Sequence, residues 1–330
     1  MLTMRNLFNG YILATLVTLT LTELCGNNMN QKICILGGGG FVGQHLAARL
    51  VKAGYTVRVL TRQRERHRDL LVLPTLELLE ADCHNPHVLQ HYFQGCTAVI
   101  NLVGILNEKR DDGRGFARAH VELTRQVIQA CRQAGVKRLL HMSALHADAK
   151  NGASYYLRSK GEAEDLLRAA SDLHVTCFRP SVIFGPGDNF FNNFARLIKL
   201  SPGIVPLACA NTRFAPIYVG DVVAAFVQSL NNSHSYGQSY DLCGPSIYTL
   251  KELLQYTARL IGCKRWIIGL GKSPSWLMAN IFQYLPLFRP ITRDNYRSLQ
   301  IDSVCDKLLP AIFTFTLTSL DEVVPGYLAD

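Results

Sequence analysis

The sequence predicts an α/β protein, a doubly wound and mainly parallel sheet with a smaller C-terminal lobe, and three observations carry that prediction. A short apolar strand, KICIL from Lys32, runs straight into four consecutive glycines and then a helix start. Strand-like apolar runs then alternate with helical stretches to about residue 185, as repeated β-α-β units do. With 330 residues, 48% hydrophobic and 18% charged, the chain is long enough to bury one large core or two unequal ones.

The glycine run satisfies two spacings at once. Gly38, Gly40 and Gly43 give G-x-G-x-x-G, and Gly37, Gly40 and Gly43 give G-x-x-G-x-x-G. Only glycine lets a backbone turn this tightly and approach a pyrophosphate, whose charge then meets the free N–H groups at a helix N-terminus. The turn follows a strand and opens a helix over Val42 to Lys52, with a second strand over Tyr55 to Leu60, which is the context a Rossmann-type dinucleotide site demands. Gly37, Gly38, Gly40, Phe41, Val42 and Gly43 are the candidate binding residues; the alternative is a glycine-rich turn with no ligand.

The second strand ends in Thr61 and Arg62, where an NAD site would normally offer an acid to the ribose hydroxyls. Arg62, with Arg64 and Arg66 behind it, suits a 2′-phosphate instead, so NADP(H) is preferred over NAD(H); a solvated basic loop is the competing reading. Leu76 to Leu79 predicts the third strand, and the trailing Asp82 either reaches the adenine amino group or caps the helix beginning near Pro86. Ala98 to Val103 reads as a strand buried on both faces, ending at Gly104 near the middle of the cofactor's path. A helix over Phe116 to Ala134, closed by Gly135, leads to the fifth strand, Val136 to Ser143. Tyr156 and Lys160, at i and i+4, share a helix face, and Ser143 at a strand end is placed to meet them.

Residues Asn6 to Thr22 form an uncharged run between Arg5 and Glu23. It is threonine-rich, falls short of the ~20 apolar residues a span needs, and has no small-residue cleavage site before Cys25. Export would also part a nucleotide site from its cytosolic cofactor, so residues 1–28 read as an extension and Met29 as the natural start. Ten cysteines occur singly with no C-x-x-C pair, several inside apolar strands, and predict free thiols in a reducing compartment and no metal site. The net charge of +9 is spread along the chain and argues weakly for an anionic ligand, a membrane surface or an acidic partner. Nucleic acid is disfavoured, because no basic stripe with interleaved aromatics is present.

The G-x-x-G-x-x-G turn, Ser143 and Y-x-x-x-K as YLRSK resemble the short-chain dehydrogenase/reductase superfamily in its extended or atypical form. HMSALHAD, YLRSKGEAE, RPSVIFGPGDNFFNNFARL, YVGDVV, YDLCGP and ITRDNYRSLQ are similar to the nucleotide-binding accessory subunit family of respiratory complex I, the NADH:ubiquinone oxidoreductase alpha-subcomplex subunit nine family, and its bacterial relatives. The resemblance implies catalytic roles for Ser143, Tyr156 and Lys160. The tyrosine acts as general acid or base, the lysine lowers its pKa and holds the nicotinamide ribose, and the serine polarises the substrate oxygen. It also places Pro180 to Val182 against the nicotinamide. One departure concerns the fourth helix, where many members carry N-V-x-G-T and this chain reads His120-Val121-Glu122-Leu123-Thr124, which puts the proton-relay water in doubt. The complex I family holds NADPH without established turnover, so the same triad serves either stable retention in an interaction role or catalysis, as an NADPH-dependent oxidoreductase or epimerase, on a small carbonyl or alcohol.

In the second half, Asp188, Asn192 and Asn193 stand among Phe190, Phe191 and Phe194, as ligand contacts or as caps. Asp221 is expected to cap a helix running to Leu230, Tyr240 to Gly244 adds a late strand, and Thr249 begins an amphipathic helix ended by Gly262. From Ser273 to Arg289, Trp276, Phe282, Tyr284 and Phe288 crowd a proline-bounded helix that suits a membrane interface or hydrophobic partner, or else core packing over the cleft. The expected organisation is an NAD(P) domain over 29–185 rejoined by 213–244, with 186–212 and 245–330 forming the substrate or partner lobe. A cytoplasmic protein follows, or one peripheral on the inner membrane, on the matrix side in a eukaryote, with a respiratory complex or quinone-biosynthesis enzyme as partner.

Overall fold

In the computed structural model of the chain, residues 31–108, 110–282, 292–307 and 309–328 are described. The expectations for residues 1–28, the Phe282 side chain, Tyr284 and Phe288 lie outside them. Seven parallel strands make the central sheet: β1 (Lys32–Leu36), β2 (Thr56–Thr61), β3 (Leu76–Glu80), β4 (Ala98–Asn101), β5 (Arg138–Met142), β6 (His174–Pro180) and β7 (Gln238–Leu242). Their spatial order is β7-β6-β5-β4-β1-β2-β3, so the chain reverses direction across the sheet between β1 and β4. That reversal opens a crevice at the carboxyl ends of those strands, where ligands of such sheets bind.

The strands read as near-continuous apolar runs because both faces are covered. On one face α1 (Phe41–Lys52) and α6 (Val219–Leu230) pack Leu46, Leu50, Val222 and Phe226 against Ile33, Ile35, Val57 and Ile100. On the other, α2 (Pro86–Phe93), α3 (Leu123–Ala134) and α4 (Tyr155–Ala169) lay Phe93, Val127 and Leu167 over Cys34, Leu36 and Val99. The helix expected over Phe116 to Ala134 begins at Arg114 and holds a π-helical stretch, Ala117–Glu122, around His120. Strand β4 stops at Asn101, two residues before its apolar run ends, because the Asn101 side chain turns back to accept the Val103 N–H at 3.1 Å.

The C-terminal lobe has its own core, in which α5 (Phe190–Leu200) and α7 (Leu250–Leu260) enclose Phe191, Ile198, Leu253 and Leu254 with Phe184 and Ile267. A two-stranded parallel ribbon, Ile204–Leu207 with Trp266–Gly269, lies at its margin. Residues from Leu309 to Leu317 return to pack Phe313 against Tyr240 and the sheet core.

Two cap assignments differ from expectation, and a third settles between the alternatives offered. Asn85, not Asp82, caps α2 by accepting the His87 N–H. Asp221 caps nothing on α6 and instead accepts the Thr318 N–H and hydroxyl from the C-terminal segment. Asp188 takes the capping role rather than the ligand role: it accepts from the Gly185 and Phe191 amides and from the Tyr327 hydroxyl, while Asn192 donates to its carbonyl. The expectation of ten free thiols is also corrected, since Cys243 just beyond β7 and Cys305 form a disulfide with Cα atoms 5.9 Å apart. Single cysteines 62 positions apart give no spacing signal, and only the return of the C-terminal segment to the β7 end joins them.

Candidate nucleotide site and catalytic helix

The turn after β1 is built as its glycines require. Gly37 has φ +76°, which favours glycine, and its carbonyl accepts the Gly40 N–H at 3.0 Å. A Cβ on Gly43 would stand 2.4 Å from the Gly37 oxygen and 2.5 Å from the Gly38 Cα, so the third motif glycine is what lets α1 start against the turn. A Cβ on Gly38 would meet Val59 at 2.7 Å. Gly40 caps α1 without a side-chain hydrogen bond, and the first turn carries no acid, so the amides at Phe41 and Val42 open toward an anion. The cradle fits a pyrophosphate.

Around this turn, Arg62 is exposed at the end of β2, and its side chain makes no hydrogen bond or ion pair with the described residues. Asp82 is exposed after β3, its carboxylate holding the His84 N–H. Gly104 lies beyond β4, where a Cβ would be 3.3 Å from the Lys160 Nζ, so the cofactor-path glycine and the helix lysine are neighbours. At the end of β6, Pro180 is buried and accepts the Leu145 N–H, and the Val182 carbonyl accepts from Ile217.

The helix α4 lysine comes to the end of β5 beside Ser143, and Tyr156 stands one turn before it on the same helix. Ser143 directly follows β5 and is 3% exposed, yet its Oγ has no hydrogen-bond partner, an orphaned polar atom at the strand end. Lys160 is buried and its ammonium donates to the Met142 carbonyl at 2.9 Å, adjacent to Ser143. Burial lowers the Lys160 pKa to about 8, against the opposing pull of the Glu164 carboxylate one turn on. Tyr156 is half-buried between Phe116 and His120, and burial pushes its hydroxyl up to about 12. Without a ligand the phenol is therefore neutral at pH 7.

His120 has a settled role. Its Nε2 accepts the Ile105 N–H at 3.1 Å, so its proton is on Nδ1, which donates to Ser159 Oγ at 2.8 Å; that hydroxyl donates to the Tyr156 carbonyl at 2.8 Å. Burial, reinforced by Lys160 and His141, drops its pKa to about 2, and the ring is neutral. With both nitrogens engaged by protein, His120 has none left for a relay water.

The residues that motif reasoning misses come from afar. Asp294, 3% exposed, accepts the Tyr155 N–H at 2.8 Å and the Tyr156 N–H at 3.1 Å, from 139 and 138 positions away. Ser154 caps the same helix through the Leu157 N–H. Arg297 grips Asp111 with two nitrogens, at 2.7 and 2.9 Å, and lies over the Tyr155 ring. Arg297 is also a wall of a cleft of about 340 Å³ lined by Trp276, Asn280, Arg293 and Tyr296. ITRDNYRSLQ contains Asp294 and Arg297, but no local pattern says which helix they serve.

Comparison with known proteins agrees with this geometry. Residues 33–243 match the model of the NAD dependent epimerase/dehydratase family. The chain is 31% identical over 287 residues to the mouse mitochondrial NADH dehydrogenase [ubiquinone] 1 alpha subcomplex subunit 9, covering 84% of this chain and 74% of that one. It is 30% identical over 241 residues to a ceramide reductase of Caulobacter vibrioides, covering 72% and 73%. Among solved structures, the fold is shared with a Thermus thermophilus UDP-glucose 4-epimerase complexed with NAD (TM-score 0.62, 21% identity, 82% and 99% covered). It is shared also with a Streptomyces venezuelae dTDP-glucose 4,6-dehydratase with NAD bound (TM-score 0.64, 20% identity, 73% and 85% covered). The turn, the strand order and the sequence match together assign the chain to the NAD-dependent epimerase/dehydratase family.

Proposed function

We propose that the protein holds NADP(H) and acts as an accessory or assembly factor of the complex I subunit type, at the membrane of the respiratory chain or with quinone metabolism. The glycine turn and the α1 amides would carry the pyrophosphate, Arg62 the 2′-phosphate, Asp82 the adenine amino group, and Gly104, Lys160, Pro180 and Val182 would border the nicotinamide half. When bound, the cofactor supplies hydride chemistry. The observation that carries the retention reading is His120: a triad whose neighbouring relay position is occupied by protein hydrogen bonds is suited to gripping a cofactor rather than cycling protons. The likeness to the mammalian complex I subunit points the same way.

Contact with a membrane or an apolar partner is supported by Trp276 and Leu277, 57% and 54% exposed on the helix Lys272–Phe282. No acidic residue occurs between Leu253 and Arg293, so cations alone accompany this apolar surface, as binding to anionic lipid favours. No described helix is long and apolar enough to cross a membrane. Flotation with anionic vesicles at low salt tests the contact, and protein left at the bottom of the gradient removes it.

A second reading, an NADPH-dependent reductase, rests on Ser143, whose unpartnered buried Oγ would donate to a substrate oxygen while Tyr156 moves the proton and Lys160 steadies it. The likeness to a ceramide reductase favours this reading. One experiment separates the two. The nucleotide carried by the purified protein is identified, and its reduced-nicotinamide absorbance is followed as quinones, long-chain ketones and short-chain carbonyls are added. Tightly held NADPH that nothing oxidises is expected for the accessory role. Oxidation lost in Tyr156→Phe with binding retained would establish the reductase.

A further inference from the structure

Of the four consecutive glycines, Gly39 is the one that neither motif spacing uses. The structure gives it a separate reason. A Cβ at Gly39 would lie 2.6 Å from Cδ2 and Nε2 of His67 and 2.9 Å from Cε1, so the imidazole fills the space any side chain there would take. His67 belongs to the 3₁₀ segment Arg64–Val72 that follows β2, and it is the point where that segment leaves helical geometry, at φ −125° and ψ 29°. Its Nδ1 is buried and has no hydrogen-bond partner. A buried ring nitrogen left unpaired costs stability that a polar ligand atom on this side of the nucleotide turn would recover.

The charges around the ring define which atom. Arg64 is engaged, its amide with Glu80 and its guanidinium with the Leu78 carbonyl, and Arg68 is paired with Glu65. Arg62 and Arg66 are exposed, and their guanidinium groups have no hydrogen bond or ion pair with the described residues, the Arg66 N–H alone donating to the Gln63 carbonyl. The imidazole thus lies on the glycine turn with two uncommitted arginines beside it in the sequence, on the segment that follows the strand that normally presents its residue to the adenosine ribose. We propose that His67 is a specificity residue for the cofactor, binding the 2′-phosphate of NADP(H) together with Arg62 and Arg66, and that Gly39 is glycine to seat it. This rests on the NADP(H) reading above and names the residues that would produce it.

The test is titration of NADPH and of NADH, followed by nicotinamide fluorescence, into the wild-type protein, His67→Ala and His67→Gln, with 2′,5′-ADP and 5′-ADP as competitors. His67→Ala is expected to weaken NADPH and 2′,5′-ADP about tenfold, the loss of one charge-assisted contact, and to leave NADH and 5′-ADP within about twofold. His67→Gln, which keeps an N–H donor, should recover part of the loss. An unchanged NADPH-to-NADH ratio in His67→Ala, or tighter binding of both nucleotides, would overturn the proposal, the second result marking the ring as an obstruction. If the wild-type protein itself prefers NADH, the NADP(H) reading fails first, and that failure is visible before any variant is made.

Discussion

Two helices start at the same edge of this sheet and treat their N-termini in opposite ways. Helix α1 begins at a glycine with no capping side chain and no acid in its first turn, so its amide charge is left for a ligand. Helix α4 begins at Ser154, which caps Leu157, and Asp294 fills the remaining end by accepting the Tyr155 and Tyr156 amides. The same unsatisfied N–H groups are thus a binding site in one helix and a structural joint in the other. What differs is whether the protein's own carboxylate is already there, and the joint is what anchors the first turn of α4, which carries Tyr156.

The largest effect should come from breaking the open end. In Gly43→Ala the new Cβ meets backbone at 2.4 and 2.5 Å, which no side-chain rotation relieves. Unfolding by urea should show a loss of about 3 kcal/mol, and dinucleotide binding should fall below detection; wild-type affinity in that variant would mean the ligand sits elsewhere. Breaking the closed end should cost less. Asp294→Ala leaves two amides and one helix terminus unmatched, for about 2 kcal/mol, whereas Asp294→Asn keeps an acceptor and should lose about half as much. Equal losses for the two variants would say that charge rather than hydrogen bonding holds the joint.

The smallest effect has the opposite sign. Lys160 has its pKa lowered to about 8, so the unfolded chain binds that proton more readily than the native state between pH 8 and the ordinary lysine value of 10.5. The penalty is fully present below pH 8 and is relieved as pH rises through that window. Lys160→Met should therefore be about 1 kcal/mol more stable than wild type at pH 7, after the lost bond to Met142 is counted, and its advantage should shrink toward pH 10. Its nucleotide retention should drop. A variant less stable at every pH would mean the ammonium is a net structural asset.

The contrast also explains what was legible in the sequence. The glycine turn, the strands as far as β5 and the i, i+4 pair of Tyr156 and Lys160 are local patterns, and each lies within two residues of where periodicity and spacing put it. Strand β4 ends two residues short of its apolar run because a side chain, Asn101, interrupts that run. Asp82 and Asp221 looked like caps by position, and only the fold shows that Asn85 and a distant Thr318 decide their roles. Asp294, Arg297 and the Cys243–Cys305 disulfide join segments far apart in the chain, which no window of sequence displays. His120 was visible as a departure from the family pattern. Its meaning depended on the two hydrogen bonds that consume both of its nitrogens.

The most direct measurement is amide hydrogen exchange, resolved to single residues, with and without NADPH. The account predicts that Gly39, Phe41 and Val42, unlike Gly40, whose N–H the Gly37 carbonyl holds, exchange fast in the free protein and become protected on binding. Tyr155 and Tyr156 should already be protected by Asp294 and change little. Nucleotide-dependent protection absent from Gly39, Phe41 and Val42, or fast exchange at 155 and 156 in the free protein, would contradict it.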